Sequence, residues 1–191
     1  MEIKEIGRQS INNVDNYIYF HYISVVNYIN MKYDFVNETG YLGLAVRLKR
    51  LSEAMVHSGR QMYKALGKDI EPNWFLVFKL LQKYDQLSVT EMATKLHFSH
   101  PSVITIVSKM ELAGYLTSTV DKTDSRKKNF TLSQKAEDNL PEFEQIWAAG
   151  IEGTKKLFPE GSNFMDQLEA LEIQYSQQDF KTRTLNELGN E

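Results

Sequence analysis

Two serine caps eleven residues apart, with a glycine after the second, constrain the centre of this chain more than any other feature. Ser88 is followed three positions later by Glu91, which is the capping-box pattern of a helix start. Ser99 precedes Pro101, and a proline in the first turn of a helix costs no hydrogen bond. Gly114 is placed to end the second helix in the left-handed conformation. This segment therefore predicts a short helix, a tight turn and a second helix.

The second helix has two chemically different sides. Its apolar residues recur at helical spacing and predict one buried arc, formed by Val103, Ile106, Val107 and Met110. The opposite side is small and hydroxylated, with one lysine and one aliphatic residue: Pro101, Ser102, Ile104, Thr105, Ser108 and Lys109. Hydroxyl groups bond base edges and phosphates, and an aliphatic side chain can contact a thymine methyl group. The competing interpretation is a plain solvated helix face, although such a face usually carries more Lys and Glu.

Two β-like runs, YLTSTV and KNFTLS, follow the second helix and flank the polar segment DKTDSRK. This pattern predicts a β-hairpin with a charged tip. A short helix, a second helix and a hairpin in this order form a winged helix-turn-helix, in which the second helix enters the major groove. The wing then reaches the DNA backbone or the minor groove. An ordinary charged turn is the alternative interpretation of the hairpin tip.

Charge is unevenly distributed along the chain. The formal net charge is −3, yet residues 72–136 hold nine Lys/Arg against five Asp/Glu, a local balance of +4. The remaining residues therefore carry −7. A basic segment between acidic flanks is what local contact with phosphates requires, although patchy charge is also common on solvated surfaces.

Several functional classes lack their usual signals in this sequence. The absence of cysteine excludes a disulfide framework, thiolate zinc ligands and a cysteine nucleophile, and it is compatible with the reducing cytoplasm, where we expect the protein. The motifs G-x-S-x-G, H-E-x-x-H and C-x-x-C and a phosphate-binding glycine loop are also missing, so we predict no enzyme, no metal and no cofactor. No apolar run reaches about 18 residues, so a membrane partner is not expected.

Further helices flank the central segment. From Leu44 onward, apolar residues at three- and four-residue intervals predict a long amphipathic helix that ends near Gly67. The segment EPNWFLVFKLLQKY predicts a second, aromatic-rich helix. A helix that breaks or bends near Pro141 follows the hairpin, and residues 164–188 predict one final helix.

The first thirty residues differ in composition from the rest of the chain. The stretch NYIYFHYISVVNYIN contains no Lys, Arg or Glu, and Met31 opens a segment that looks like an ordinary amino terminus. One hypothesis is an extension of little functional weight, produced by a start codon assigned too early. The other is an additional aromatic helix or strand that packs on the body or on a partner subunit.

Residues 87–136 resemble the winged-helix core of the MarR family of bacterial transcriptional regulators. The matching motifs are LSVTEMATKL, the S-H-P-S-V helix opening, the K-M-E-x-x-G-Y-L exit, the D-x-x-D-x-R wing and the T-L-S that follows it. A weaker resemblance covers Tyr41–Gly67 and the C-terminal helices, which form the dimerisation domain in that family. The resemblance implies a mainly α fold with four parts: an N-terminal extension (1–30), an N-terminal dimerisation region (31–71), a winged helix-turn-helix domain (72–136) and C-terminal dimerisation helices (137–191).

The resemblance also implies a function and its residues. A homodimer would bind a near-palindromic site on double-stranded DNA and respond to a small-molecule effector or to another signal; the alternative is a winged-helix protein-interaction module without DNA binding. The DNA-contacting residues of the recognition helix would be His100, Pro101, Ser102, Ile104, Thr105, Ser108 and Lys109. The wing would contribute Thr123, Ser125, Arg126, Lys127 and Lys128, with Asp121 and Asp124 in structural roles. Candidate effector-pocket residues are Met55, His57, Met62, Tyr63 and Trp74, which at helical spacing are also typical of an ordinary core.

Overall fold

The computed structural model describes residues 34–120 and 127–189 of the 191-residue chain. These residues are mainly helical with one small antiparallel sheet, which confirms the predicted fold class of helices with a β-hairpin wing. The helices are α1 (Phe35–Glu38), a 3-10 turn (Gly40–Gly43), α2 (Leu44–Ala65), α3 (Trp74–Tyr84), α4 (Val89–Leu96), α5 (His100–Leu112), α6 (Gln134–Lys155), α7 (Phe164–Gln177) and α8 (Phe180–Glu187). The strands are β1 (Leu87–Ser88), β2 (Leu116–Val120) and β3 (Lys128–Leu132).

The chain divides into two compact units, Met1–Glu137 and Asp138–Glu191. The core of the first unit consists of apolar side chains from α3, α4, α5 and the sheet. Its most deeply buried members are Val77, Phe78, Leu81, Met92, Val103, Val107, Met110 and Tyr115. Burying each aliphatic side chain of this size stabilises the fold by about 1.5–3 kcal/mol, so this core fixes the position of α5.

The sheet has three strands in the order β1-β3-β2, one more than the predicted hairpin. In the hairpin, Leu116 pairs with Leu132 and Val120 with Lys128. The two-residue strand β1 adds to the other edge of β3, where Leu87 lies opposite the buried Phe130. The hairpin is therefore attached to the segment that immediately precedes α4.

The helix boundaries confirm the predicted caps. Ser88 and Glu91 form a reciprocal capping box at the start of α4, in which the Ser88 amide donates to Glu91 Oε2 at 2.8 Å. Ser99 Oγ accepts the Ser102 amide at the start of α5. Gly114 follows α5 with φ +79°, a conformation that is strained for any residue with a Cβ. These local signals determine where both helices of the motif begin and where α5 ends.

A strained turn joins α3 to β1. Asp85 has φ 59° and ψ −51°, and the Gln86 amide donates to the Tyr84 carbonyl at 2.6 Å across it. This is a three-residue γ-turn with positive φ, which is rare and strained for non-glycine residues. Glycine adopts that conformation without a Cβ clash.

We expect Asp85→Gly to stabilise the protein by about 1 kcal/mol, because relief of the backbone strain exceeds the added entropy of the unfolded chain. Urea unfolding of the full-length chain measures this change. As a control, Gln82→Gly in the exposed part of α3 should destabilise by about 1 kcal/mol, because glycine is unfavourable inside a helix. Destabilisation by both substitutions would contradict the assignment of strain to Asp85.

The C-terminal unit differs from the sequence prediction at its end. Instead of one final helix, α7 and α8 are separated at Gln178, which is extended with φ −152° and ψ 114°. Asp179 caps α8 by accepting the Thr182 amide at 2.9 Å. Arg183 donates to the carbonyl oxygens of Gln174 and Gln178 at the end of α7. These local bonds stabilise a helix end that the continuous amphipathic pattern conceals.

Helix α6 continues through Pro141, where the sequence predicts a break or a bend.

Across the described ranges 34–120 and 127–189, no helix is both long and apolar enough to cross a membrane.

Candidate nucleic-acid interface

Helix α5 is anchored on one side and open on the other. The predicted arc of Val103, Ile106, Val107 and Met110 is buried, which confirms the orientation derived from periodicity. All seven residues predicted to contact DNA are exposed on this helix: His100, Pro101, Ser102, Ile104, Thr105, Ser108 and Lys109. We call these seven residues the outward face.

Some hydroxyl groups of the outward face are already bonded within the helix. Thr105 Oγ1 donates to the Pro101 carbonyl at 3.0 Å. Ser102 Oγ lies 2.7 Å from Ser99 Oγ, the side chain that caps the helix. His100 Nε2 lies 3.5 Å from Thr90 Oγ1, so the first turn of α5 lies beside the first turn of α4. These contacts link the start of α5 to its own cap and to the start of α4.

The wing places two cations at the start of β3. Lys127 and Lys128 are exposed, and Lys128 pairs with Val120 at the loop end of the hairpin. Hydrogen bonds from Ser88 hold the pKa of Glu91 below its ordinary value, and the nearby charge of Lys127 contributes to this shift. The other predicted wing residues, Asp121, Thr123, Asp124, Ser125 and Arg126, lie outside the described residues.

A set of polar side chains, missed by the sequence analysis, holds the C-terminal end of α5. Asp69 accepts hydrogen bonds from the Tyr115 hydroxyl and from Lys135 Nζ, the latter at 3.1 Å. Lys135 also donates to the Ala113 carbonyl at 2.8 Å and lies 4.0 Å from the centre of the Tyr115 ring. Ser133 Oγ donates to the Gly114 carbonyl at 2.6 Å. We call Asp69, Tyr115 and Lys135 the Asp69 network.

Several solved structures share this architecture. The Staphylococcus aureus MepR–DNA complex is 19% identical, with a TM-score of 0.59 over 71% of this chain and 98% of that chain. The organohalide-sensing regulator RdhR-CbdbA1625 in its 2,4-dichlorophenol-bound form is 16% identical, with a TM-score of 0.61 over 92% and 90%. A MarR protein from Peptoclostridium difficile is 19% identical, with a TM-score of 0.56 over 74% and 91%.

The chain has the MarR-type winged-helix fold. No protein-family model matches the sequence, and no curated protein matches it. The likeness therefore lies in the arrangement of helices and wing. In this winged-helix fold, α4 and α5 form the helix-turn-helix and the β2–β3 hairpin forms the wing.

The Asp69 network shifts the protonation of its members. Burial raises the pKa of Asp69, but hydrogen bonds from Tyr115 and Lys135 and the Lys135 charge outweigh burial and hold this pKa below its ordinary value. Burial, followed by the Asp69 carboxylate, raises the pKa of Tyr115 far above its ordinary value, so the hydroxyl remains a donor. At neutral pH the network therefore contains an ionised acid, a neutral phenol and a cation.

Asp69 should make stability depend on pH in the acid range. Its pKa is lowered by folding, so its contribution is present above the ordinary value of 3.8 and is lost as pH falls through the lower folded value. We expect Asp69→Asn to be less stable than the wild type at pH 7, with the difference shrinking below about pH 4. Thermal unfolding across pH 2–7 measures this. A difference that stays constant with pH would contradict the ionised state of Asp69.

A cleft of ≈ 540 Å³ opens beside the Asp69 network. Four cationic residues, two acids and four other residues line it: Arg60, Lys64, Lys68, Lys109, Asp69, Glu71, Ile70, Trp74, Leu112 and Ala113. Arg60 Nε pairs with Glu71 at 2.7 Å, and Asp69 is bonded within its network, so both acids are engaged. The lining therefore has a positive balance around the apolar surface of Trp74 and Leu112.

The five predicted effector-pocket residues are in different environments. Trp74 is buried and lines this cleft, whereas the lining does not include the other four. Tyr63 and His57 are also buried, and burial followed by the Arg60 charge lowers the pKa of His57. Met55 is exposed and Met62 is half-buried on α2. Among residues 34–120 and 127–189, no group of three or more His, Asp or Glu side chains is arranged to hold a metal ion.

Proposed function

We propose that this protein is a DNA-binding transcriptional regulator of the MarR type, acting as a homodimer on a near-palindromic operator. The observation that carries the proposal is the outward face of α5, whose seven residues are exposed while Val103, Ile106, Val107 and Met110 on the opposite side are buried. A helix held in this way can enter the major groove without losing its packing. The exposed Lys127 and Lys128 support backbone contact by the wing, and the MepR structure with the same fold is a DNA complex.

Dimerisation is supported by an apolar stripe on α2. Leu44, Leu48, Leu51 and Met55 follow helical spacing and remain substantially exposed in the single chain. Residues before α2 add the exposed Tyr41 and Leu42. Contiguous apolar surface of this kind marks an interaction site, and a second copy would cover it. A twofold dimer places two recognition helices about 34 Å apart, one turn of DNA.

The alternative is a winged-helix module that binds protein and not DNA. Fluorescence anisotropy distinguishes the two, using the full-length chain, DNA from the upstream region of its own gene and a salt series. Affinity that falls steeply with salt supports phosphate contact, because binding releases counterions. Absence of binding at low salt, or an affinity that does not change with salt concentration, would reject the DNA-binding function.

We further infer that the cleft beside Trp74 takes a small anionic aromatic effector. The positive balance of its lining suits a carboxylate or phenolate, and Trp74 offers an aromatic surface. Asp69, in the cleft wall, accepts from Lys135, which also donates to the carbonyl of Ala113, the residue that caps the end of α5. An anion that competes with Asp69 for Lys135 would release that end of the recognition helix and change DNA affinity.

Benzoate and 2,4-dichlorophenol are suitable probes of the cleft. In a Trp147→Phe background, Trp74 is the sole tryptophan, and we expect a saturable change in its fluorescence with at least one probe. Lys64→Ala should weaken that binding about 5-fold through loss of one ion pair. Lys49→Ala, which removes a lysine of α2 outside the cleft lining, should have no effect. No saturable change with either probe would reject this effector class.

A further inference from the structure

The centre of the outward face is apolar to a degree that general DNA binding does not require. Pro101, Ile104, Thr105 and Ser108 are spaced i, i+3, i+4 and i+7, so they form one continuous row on α5. Ile104, near the middle of this row, is 43% exposed, although its neighbours Val103 and Ile106 are buried. We call these four residues the groove row.

The hydrogen bonds of α5 increase this apolar character. The Thr105 hydroxyl proton is donated to the Pro101 carbonyl at 3.0 Å, so this hydroxyl remains an acceptor and its methyl group is apolar surface. Pro101 presents an aliphatic ring and Ile104 an aliphatic chain. The other hydroxyl of the groove row belongs to Ser108, which is exposed.

The groove row lacks the side chains that read guanine and adenine by paired hydrogen bonds. Guanine is usually bound by Arg or Lys and adenine by Asn or Gln, whereas the thymine methyl group is read by apolar contact. Both kinds of base pair expose polar edges that an isoleucine desolvates without offering a partner, but the A·T pair also offers the thymine methyl group as an apolar contact. This contact favours an A·T pair opposite Ile104.

We propose that Ile104, with the Thr105 methyl group, reads thymine methyl groups, so that each operator half-site has an A·T pair at the position facing the middle of α5. This inference rests on the proposed DNA-binding function and specifies its substrate. It assigns Ile104 the role of a specificity-determining residue. Ile104 is exposed, so its truncation leaves the core of the first unit intact.

The experiment combines operator selection with the removal of single thymine methyl groups from the DNA. The full-length chain selects its preferred duplex from a random pool, and each thymine of that duplex is then replaced by uracil, which lacks only the methyl group. For the wild type we expect a roughly 3- to 5-fold loss of affinity at one or two thymines per half-site, the value of one buried methyl group. For Ile104→Ala, the same uracil replacements should leave affinity unchanged.

Val46→Ala is the matched control. Val46 is 48% exposed on α2, on nearly the opposite side of that helix from Leu44, and it lies outside the cleft lining. Its truncation removes an exposed apolar side chain that the proposal does not use and should preserve the uracil effect of the wild type. Circular dichroism of both variants checks that they fold.

The outcomes separate this inference from the proposed function. Operator binding with no uracil effect, or an equal effect in Ile104→Ala, would overturn the inference and leave DNA binding intact. Selected half-sites with G·C at this position, or a uracil effect lost in Val46→Ala, would overturn it in the same way. Absence of DNA binding at low salt would overturn both.

Discussion

Leu51→Glu should convert the proposed homodimer to a monomer and lower operator affinity at least about 100-fold, because specific binding is typically 10³–10⁷ times tighter than non-specific binding and needs both half-sites. Leu51 lies in the middle of the apolar stripe of α2 and is 47% exposed in the single chain. A carboxylate at this position is hydrated in the single chain. In a dimer it would be buried without a partner, which costs several kcal/mol. Light scattering after size-exclusion chromatography measures the mass, and anisotropy measures the affinity.

Lys49→Glu is the control for Leu51→Glu. It introduces the same carboxylate two residues away, on nearly the opposite side of α2, where the native side chain is 74% exposed. We expect this variant to remain dimeric and to bind the operator with little change. A monomeric Leu51→Glu with undiminished affinity would show that one copy suffices, and a dimeric Leu51→Glu would place the interface elsewhere.

The part of the fold that the sequence predicts well depends on signals within a few residues. The caps Ser88 and Ser99 and the left-handed Gly114 are local, and the structure confirms all three. The buried arc of α5 could be predicted because helical periodicity alone assigns its members to one face. The residues proposed to bind DNA follow from the same periodicity, since they are the complement of that arc.

Other features depend on residues that are distant in sequence or on competing local signals. The hydrogen bond between Asp69 and Tyr115 spans 46 residues, and the one between Asp69 and Lys135 spans 66, so no local pattern announces them. The prediction of one continuous helix over residues 164–188 is wrong, because the apolar pattern continues across the break at Gln178. Asp179 followed by Thr182 was the available signal, since aspartate is a strong N-cap.

The positive charge of the wing should contribute strongly to DNA affinity and to its dependence on salt. Replacing Arg126, Lys127 and Lys128 by alanine should lower affinity at least about 100-fold at 0.1 M salt and reduce the slope of log K against log salt by about 5. The outward face of α5 offers Lys109 as its permanent cation, so phosphate attraction must come mainly from other elements. The two wings of the proposed homodimer would together carry six of these cations. Anisotropy titrations between 0.05 and 0.3 M salt give both quantities.

The effect of the wing should be independent of sequence, which distinguishes it from groove contacts. Phosphates are identical along DNA, so the triple variant should lose the same factor on the operator and on a scrambled duplex, and its specificity ratio should stay unchanged. Alanine at Lys155, Lys156 and Lys181 makes the same change in net charge within the C-terminal unit and should alter neither affinity nor slope appreciably. An equal loss in this control would assign the effect to overall charge, and a lowered specificity ratio in the wing variant would mean that the wing reads bases.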